Sequence, residues 1–471
     1  MKTRKFKNNL SESYYNKLIS SPNEPNNLYL KKLTYKLTNE NSEVNVTWDF
    51  YKMQKEITKK IPISLYGWYH EFTSSAGNST FRAIESFKKY VLKANYLNTN
   101  KQVSMERHVQ LHSKKLGTSK FVCKSPFFTA PYGCASEYGG KSDEIKTMVG
   151  TLKGGGIYTL GCLSKYPVEH MTNVLKMVEP QAFFMYQLYL TGDDELNISL
   201  IERAKSCGAS VIMVTIDTGS NNHGGIGLLE AQSDLTFERN FCGNLFEDPV
   251  FNIKCYQHHK CVGTKNKSVL SIVSKHVKQS VETLQKSYTY NQSFDYAKQL
   301  QGQGMGNVGP EKIKHIADLC HSSTSLCKYV SRKVKGVPLV IKGVISVENA
   351  LQLQKCDVDG IYVSNHGGRF MFNSVPPLDI LSEIRTAVKK VHPHFGVWFD
   401  GGIRYGQDIL TAYVKGAEFV GIGRPIIYSC VLYGEKGVSS TTKKMLFELE
   451  GQCKMCGLND LNNYSILKTC L

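Results

Sequence analysis

The sequence predicts an α/β protein built as a (β/α)₈ barrel, the TIM-barrel fold. Three observations support this: short apolar runs alternate with amphipathic stretches, there are eight such runs, and nearly every run is followed by polar residues or glycine. Eight parallel strands close such a barrel, and this count disfavours the alternative, an open doubly wound sheet. The predicted strands are residues 121–129, 156–160, 183–188, 210–216, 337–341, 360–363, 397–399 and 419–421.

The stretches between the runs predict the outer helices. A buried parallel sheet needs helices over its outer face, and apolar residues recur in these stretches at helical spacing. The predicted helices include residues 168–178, 196–207, 347–355 and 407–415.

The N-terminal region differs in composition from the barrel. Residues 1–47 are rich in Asn, Ser and Lys with weak hydrophobic periodicity, which predicts a polar, partly disordered extension. Residues 57–96 predict a helical extension, and residues 48–471 as a whole are expected to form one barrel domain. The apolar stripe of the helical extension consists of Phe81, Ile84, Phe87, Tyr90 and Val91.

Composition limits the classes of function. The formal charge of +18 permits nucleic-acid binding, but the lysines are spread along the chain, which favours a solvated surface and no nucleic-acid partner. No apolar run is long enough to span a bilayer, and the basic N-terminus has no apolar core typical of a secretory signal. The fourteen scattered cysteines indicate a reducing compartment. We expect a cytoplasmic protein, with a peroxisomal address, suggested by residues 469–471, as the alternative.

A long insertion interrupts the alternating pattern after the fourth strand. Residues 218–310 are rich in Gly, Asn, Cys and His, and loops this long are usually functional or disordered. Residues 268–284 within the insertion have helical spacing. The spacing of its metal-ligating residue types matches no common zinc site, so no metal is predicted. Those residues are Cys242, Cys255, His258, His259 and Cys261.

Charged and polar residues follow several strands at the end where barrels of this type carry their active sites. His366 and Arg369 follow the sixth run, separated by Gly367 and Gly368. An imidazole beside a guanidinium suits proton removal from a substrate whose carboxylate the arginine holds. A polar loop between a strand and a helix is the simpler alternative. The residues at the other strand ends include Gln187, Tyr189, Asp217 and Lys342.

The last two strands end in glycine-rich segments, each with an arginine. Asp400-Gly401-Gly402-Ile403-Arg404 follows the seventh run, and Gly421-Ile422-Gly423-Arg424-Pro425 ends the eighth. Glycines let backbone N–H groups face a phosphate, and arginines neutralise its charge. Loops at this place often bind phosphate, although turn glycines are the alternative interpretation.

These motifs together resemble the FMN-dependent α-hydroxy-acid oxidases and dehydrogenases. The similarity extends from about Ile57 to the C-terminus and is closest in the second half. Its strongest motifs are Val340-Ile341-Lys342-Gly343-Val344, Ser364-Asn365-His366-Gly367-Gly368-Arg369, Asp400-Gly401-Gly402-Ile403-Arg404 and Ile422-Gly423-Arg424-Pro425. The resemblance implies an FMN cofactor, a small (S)-2-hydroxy acid oxidised to a 2-oxo acid, O₂ or a separate redox acceptor, and a homo-oligomer.

The resemblance also implies residue roles. His366 would be the catalytic base, Asp217 would stabilise its imidazolium, and Lys342 would lie at the N1–C2=O edge of the flavin. Arg369, Tyr189 and Trp68 would bind the substrate. The other implied FMN contacts are Pro131, Gly133, Gly161, Gln187, Thr215, Ser364, Asp400, Gly401, Gly402, Arg404, Gly423 and Arg424.

Three positions depart from the family pattern. Trp68 replaces a tyrosine that helps hold the carboxylate, and an indole lacks the acceptor capacity of a phenol. Gly224, beside His223, replaces a second arginine, whose charge-assisted contact is worth about 1.5–3 kcal/mol. Tyr132 replaces a threonine under the flavin. These changes leave open an alternative, an FMN-binding barrel with weakened or altered activity.

Overall fold

The computed structural model describes residues 49–61, 78–98, 102–133, 139–141, 143–218, 243–260, 308–327, 334–371 and 373–470. Ten strands are described, of which the first two form a hairpin and the other eight one sheet. The hairpin consists of β1 (Arg107–Ser113) and β2 (Gly117–Cys123). The strands of the sheet are β3 (Phe127–Thr129), β4 (Thr159–Gly161), β5 (Met185–Leu188), β6 (Val211–Thr215), β7 (Leu339–Val344), β8 (Gly360–Val363), β9 (Gly396–Phe399) and β10 (Phe419–Ile422).

The eight-stranded sheet is parallel throughout and closes on itself. Its order is β3-β10-β9-β8-β7-β6-β5-β4, and a parallel bridge between Phe128 and Ile157 joins the two edges. The predicted (β/α)₈ barrel is therefore confirmed. Residues that point inward, such as Trp398, pack with one another, whereas residues that alternate with them face the helices, as the two-residue period of a strand requires.

Helices surround the barrel. Those before the insertion are α1 (Phe50–Ile57), α2 (Asn78–Glu85), α3 (Glu144–Lys153), α4 (Val168–Val178) and α5 (Asp194–Ser206). Within and just after the insertion lie α6 (Gly243–Phe246), α7 (Pro249–Lys260) and α8 (Pro310–His321). The remaining helices are α9 (Val347–Gln354), α10 (Pro377–Val391), α11 (Gly406–Val414), α12 (Arg424–Met455) and α13 (Tyr464–Leu467). In the described part of the chain no helix is both long and apolar enough to cross a membrane.

The first predicted strand, residues 121–129, is wrong as a single element. Pro126 separates the end of β2 from the start of β3, and a proline cannot donate to a strand ladder. The hairpin β1–β2 was not predicted. Its residues Val109, Leu111 and Cys123 are buried and pack against the inward-facing side chains of the barrel. The hairpin therefore covers the end of the barrel opposite to the strand ends that carry the predicted site.

The predicted helical extension over residues 57–96 is helical in part of its described residues. The helix α1 ends at Ile57, α2 ends at Glu85, and residues 90–95 have no regular structure. Of the predicted stripe, Phe87 is buried, whereas Phe81 and Val91 are 60% and 80% exposed. The five residues of the stripe do not lie on one buried face, because helical spacing places residues on the same face only while the helix continues.

Several predictions lie outside the described residues. These are the N-terminal extension over residues 1–47 and the helix over residues 268–284. In the insertion Cys255 is buried, and the other four Cys and His residues lie outside the described side chains. Among the side chains that are described, no group of three or more Cys, His, Asp or Glu is arranged to hold a metal ion.

Candidate active site

His366 and Asp217 form a hydrogen-bonded pair at the C-terminal end of the barrel. The distance from Nδ1 of His366 to Oδ1 of Asp217 is 2.6 Å. The aspartate follows β6 and the histidine follows β8, so two strand ends bring together residues that are 149 positions apart in the chain. The carboxylate orients the imidazole with its other nitrogen, Nε2, toward the hydroxyl of Tyr189 at 3.4 Å.

The loop that carries His366 has an unusual backbone. His366 has a φ of 57°, and Gly367 and Gly368 have φ of 68° and 77°. A histidine in the left-handed region is uncommon and requires support from its surroundings. The helix α2 gives that support, because the Thr80 hydroxyl donates to the carbonyl of Gly367 at 2.8 Å. A Cβ atom at residue 368 would lie 2.5 Å from the backbone nitrogen of Thr80, so only glycine allows this close approach.

The electrostatic environment keeps His366 neutral to lower pH than an exposed histidine. Burial lowers the pKa of His366 below its ordinary value of 6.5, and the charges of Lys342 and Arg369 act in the same direction, against the attraction of Asp217. Burial alone would raise the pKa of Asp217, but Lys342 and His366 lower it below its usual value. The pair therefore combines a neutral imidazole with an ionised carboxylate, the protonation state that a general base needs.

Lys342 lies beside this pair. Its side chain, on β7, is almost fully buried, and its Nζ is 3.7 Å from Oδ2 of Asp217. The strand pairing with β8 shifts by one residue between Lys342 and Val344. A buried ammonium group with one carboxylate at this distance can also stabilise negative charge on a ligand.

Arg369 and Phe370 follow the histidine. The charge of Arg369 contributes to the lowered pKa of His366. The ring of Phe370 packs edge-on to the imidazole with 4.9 Å between centroids. Sequence reasoning did not single out Phe370, although an aromatic residue directly after the arginine was visible in the sequence.

Glutamine and hydroxyl side chains line neighbouring strand ends. Gln187 of β5 donates from Nε2 to the Thr215 hydroxyl of β6 at 2.9 Å, and both are buried. The Ser364 hydroxyl accepts from the backbone N–H of His366 at 3.1 Å. At Gly161, a Cβ atom would lie 3.2 Å from the carbonyl oxygen of Tyr132 and 3.5 Å from Oε1 of Gln187, so both groups lie close to this glycine.

The segment after β3 contains Pro131, Tyr132 and Gly133. Tyr132 packs against an apolar cluster shared by α1 and α12. A Cβ atom at residue 133 would lie 2.9 Å from Cβ of Leu163, which explains the glycine there. The substitution of tyrosine at residue 132 is therefore accommodated by apolar contacts of the two helices.

The two glycine-rich segments lie together at the ends of β9 and β10. Gly401 and Gly402 have φ of 119° and 84°. At Gly402 a Cβ atom would lie 2.1 Å from the carbonyl oxygen of Ala83, so α2 packs directly on this turn. Gly423 has open space around its Cβ position.

Two arginines meet near these segments. Arg404 is buried, its guanidinium lies 4.3 Å from the ring centre of Phe50, and burial together with Arg424 lowers the pKa of Arg404 to about 10. Arg424 donates from both terminal nitrogens to the carbonyl of Gly367, at 3.1 Å each. The arginine predicted only as a phosphate ligand therefore also joins the loop after β10 to the loop that carries His366.

The donors and acceptors at the barrel rim fit FMN. Two mutually repelling guanidinium groups lie beside glycines of positive φ, and the Nε of Arg404 is buried without a hydrogen-bond partner among the described residues. An anion such as a phosphate satisfies both features. The Oδ1 of Asp400 likewise has no partner in the described part of the chain, which suits a ribityl hydroxyl. Trp68 and Gly224 lie outside the described residues, so no geometry accompanies those two predictions.

Comparisons with known proteins agree with this geometry. A family model described as FMN-dependent dehydrogenase matches residues 58–466. The L-lactate oxidase of Lentilactobacillus hilgardii is 28% identical over 374 residues, 78% of this chain and 84% of that protein. The 2-hydroxyacid oxidase 2 of Rattus norvegicus is 25% identical over 386 residues, 81% of this chain and 87% of that protein.

Solved structures show the same fold. The structure of a lactate oxidase from Pediococcus acidilactici has a TM-score of 0.63 at 20% identity, covering 91% of this chain and 95% of that one. At this identity the likeness concerns the fold alone. The family model, however, spans most of the chain. The protein therefore belongs to the family of FMN-dependent dehydrogenases, with FMN as its cofactor and the oxidation of 2-hydroxy acids as its class of reaction.

Proposed function

We propose that the protein oxidises a small (S)-2-hydroxy acid to a 2-oxo acid and passes the electrons to O₂ or to a separate redox acceptor. The observation that carries this proposal is the His366–Asp217 pair, 2.6 Å apart, with the charges of Lys342 and Arg369 around it. The lactate oxidases and 2-hydroxyacid oxidases among the relatives suggest lactate and related hydroxy acids as first substrates.

Three residues of the rim are proposed to act on the substrate. Arg369 binds the carboxylate, since a guanidinium fork matches the two carboxylate oxygens. His366 accepts the proton at Nε2, while Nδ1–H stays bound to Asp217, which stabilises the imidazolium. Tyr189, whose hydroxyl is 3.4 Å from Nε2, lies where it can hydrogen-bond the substrate.

Other residues of the rim would hold the cofactor. Gln187, Thr215 and Ser364 are the proposed hydrogen-bonding partners of the flavin ring, and Lys342 supplies positive charge beside it. Asp400 would accept from the ribityl chain, and the glycine-rich segments with Arg404 and Arg424 would hold the phosphate. FMN, when bound, supplies the acceptor for the two electrons that leave the substrate. Pro131, Gly133 and Gly161 are proposed to border the ring through their backbone.

The test is an absorption spectrum of the purified protein followed by anaerobic addition of glycolate, lactate and longer 2-hydroxy acids. We expect flavin bands that bleach with at least one of these acids. Bound flavin that no (S)-2-hydroxy acid bleaches would argue against the proposed reaction. Admitting air to the bleached protein then distinguishes the acceptors, because an oxidase regains its colour within seconds, whereas an enzyme with a separate acceptor regains it slowly.

The second candidate is an FMN-binding barrel with weakened or altered activity. Trp68, Gly224 and Tyr132 favour it, because each replaces a residue that the family pattern places at the substrate or under the flavin. Steady-state turnover decides between the two. Turnover of a longer or aromatic hydroxy acid, but not of lactate, indicates an altered substrate, and absence of turnover with tight FMN binding indicates a binding protein.

We further propose that residues 48–471 form a single barrel domain, that the protein is a homo-oligomer, and that it lies in the cytoplasm. Size-exclusion chromatography with light scattering tests the oligomeric state, and a mass equal to one chain of 52.9 kDa contradicts a homo-oligomer. Microscopy of a tagged chain with a free C-terminus tests the compartment.

A further inference from the structure

A tyrosine inside the barrel, Tyr362, contacts two residues that are proposed to hold FMN. It lies on β8 between Ile361 and Val363, which pack with residues outside the barrel wall, so its own ring points inward. The ring is fully buried and packs edge-on against Phe128 at 5.6 Å. Tyrosine is a costly residue in such a place unless its hydroxyl has a partner.

The partner of the hydroxyl is Asp400. The Tyr362 hydroxyl donates to Oδ2 of Asp400 at 2.8 Å. Asp400 is 8% exposed, and its other carboxylate oxygen, Oδ1, has no hydrogen-bond partner among the described residues. A buried carboxylate oxygen without a donor is costly, so this oxygen is the one available to a ligand hydroxyl. The tyrosine thus restrains one oxygen and leaves the other for the ligand.

The second contact is with Lys342. Its Nζ lies 5.6 Å from the centre of the Tyr362 ring, within the range of a cation–π interaction. The ammonium is buried, so its position depends on such contacts. One side chain therefore touches the proposed ribityl acceptor with its hydroxyl and the proposed flavin-edge cation with its ring.

The hydroxyl also depends on a glycine two strands away, Gly421 of β10. A Cβ atom at that residue would lie 1.9 Å from the hydroxyl oxygen of Tyr362. Gly421 is not one of the glycines with positive φ, so its backbone does not call for glycine. The Tyr362 hydroxyl is the closest of the atoms that leave no room for a side chain at residue 421.

We propose that Tyr362 is a positioning residue for FMN: its hydroxyl orients Asp400 toward the ribityl chain, and Gly421 provides the space for that hydroxyl. The inference rests on the proposed role of Asp400. It predicts that the tyrosine hydroxyl and the glycine act on cofactor binding through one interaction, and not as two independent features of the core.

The test is titration of FMN into the full-length apoprotein, followed by flavin fluorescence, with thermal unfolding of each apoprotein alongside. We expect Asp400→Ala to raise the dissociation constant about tenfold to a hundredfold, as loss of a charge-assisted contact does. Tyr362→Phe keeps the ring over Lys342 and is expected to raise it at least about fivefold. Gly421→Ala displaces the hydroxyl and is expected to weaken FMN similarly, with a lower melting temperature.

The double variant Tyr362→Phe with Gly421→Ala distinguishes one shared interaction from two independent features of the core. Removing the hydroxyl removes the 1.9 Å contact, so the melting temperature of the double variant should lie above that of Gly421→Ala. Its FMN affinity should match that of Tyr362→Phe alone. Affinity losses that add in the double variant overturn the inference. FMN affinity that Asp400→Ala lowers but Tyr362→Phe leaves unchanged also overturns it, and leaves the role of Asp400 standing. An unchanged affinity in Asp400→Ala overturns the role of Asp400 and the inference with it.

Discussion

Gly343 and Asp217 are so close that a Cβ atom on residue 343 would lie 2.5 Å from Cγ of the aspartate. Gly343 has a φ of 106°, at the shift in strand pairing after Lys342. The glycine therefore allows the carboxylate to lie between the lysine and His366. We therefore expect activity to depend on this backbone position as well as on the charged side chains.

Gly343→Ala should lower kcat/KM by at least about tenfold, because the methyl group displaces Asp217 from the imidazole, and should destabilise the fold by about 1–3 kcal/mol. Gly117→Ala is the matched control: Gly117 has a φ of 69°, but its Cβ position meets nothing within 4 Å. The control measures the cost of backbone strain alone. Equal kcat/KM in the two variants would contradict the proposed role of the contact.

His366→Gln should retain bound FMN and lose its reduction by substrate. Glutamine preserves polarity but cannot accept the proton, and a general base contributes about 10²–10⁴-fold in rate. Stopped-flow absorbance under anaerobic conditions measures the reduction directly. Reduction at the wild-type rate would remove His366 from the mechanism, whereas loss of the flavin would assign it a binding role instead.

The pH dependence of kcat/KM should show an acidic limb below pH 6.5, the ordinary pKa of histidine. Burial lowers the pKa of His366, so the neutral imidazole that can accept a proton persists to lower pH than it does in water. Asp217 opposes this shift, so Asp217→Asn should move the limb to still lower pH while it lowers the maximal rate. A limb that moves to higher pH in this variant contradicts the assignment. Because the pKa of His366 is lower in the folded state, its protonation favours the unfolded state, and the fold loses stability as the pH falls below 6.5.

Arg404→Ala combined with Arg424→Ala should abolish FMN binding at micromolar concentrations, because the phosphate loses both guanidinium partners. Arg424→Ala alone should also disturb the loop of His366, since Arg424 holds the carbonyl of Gly367 with two hydrogen bonds. Arg82→Ala, at an exposed position of α2, removes the same charge and serves as the control. FMN occupancy equal to that of the control would contradict the phosphate assignment.

Asp248→Ala should destabilise the whole barrel domain by about 3–5 kcal/mol, because it leaves Arg203 as a buried cation without its buried partner. Asp248 is fully buried, and its Oδ2 lies 3.1 Å from Nη1 of Arg203, so it anchors the helix α7 of the insertion to α5. Glu169 contacts the same arginine but is 49% exposed, and Glu169→Ala should cost less than about 1 kcal/mol. Thermal unfolding of both variants measures these changes in stability. Unfolding in one cooperative step would also support a single domain, and a separate early transition would contradict a single domain.

Local sequence patterns were sufficient for the barrel strands other than β3. A parallel strand buried on both faces is a short apolar run, and the residue that ends it is polar or glycine, so both signals lie within a few neighbouring residues. The prediction failed at residues 121–129, where two apolar runs were joined into one strand. Lys124, Ser125 and Pro126 separate these runs, so that one belongs to the hairpin and the other to the barrel. The strand β1 alternates buried and more exposed residues, a weaker pattern that sequence reasoning missed.

In the candidate site, too, local motifs could be predicted from the sequence, whereas contacts between distant residues could not. The types and order of His366, Arg369, Lys342 and the glycine-rich segments were visible in the sequence, and so was their resemblance to a family. The contacts of Tyr362 with Asp400, of Arg424 with Gly367, and of Thr80 with the histidine loop were not.

The sequence by itself therefore determined the class of fold and the residue types at the strand ends, since these depend on short segments. Its resemblance to a family implied the cofactor. The tertiary structure alone decided that Asp217 and His366, 149 positions apart, lie 2.6 Å from each other. Distances of this kind depend on closure of the barrel, because the strand tilt and the packing of helices on every side set where each strand end lies.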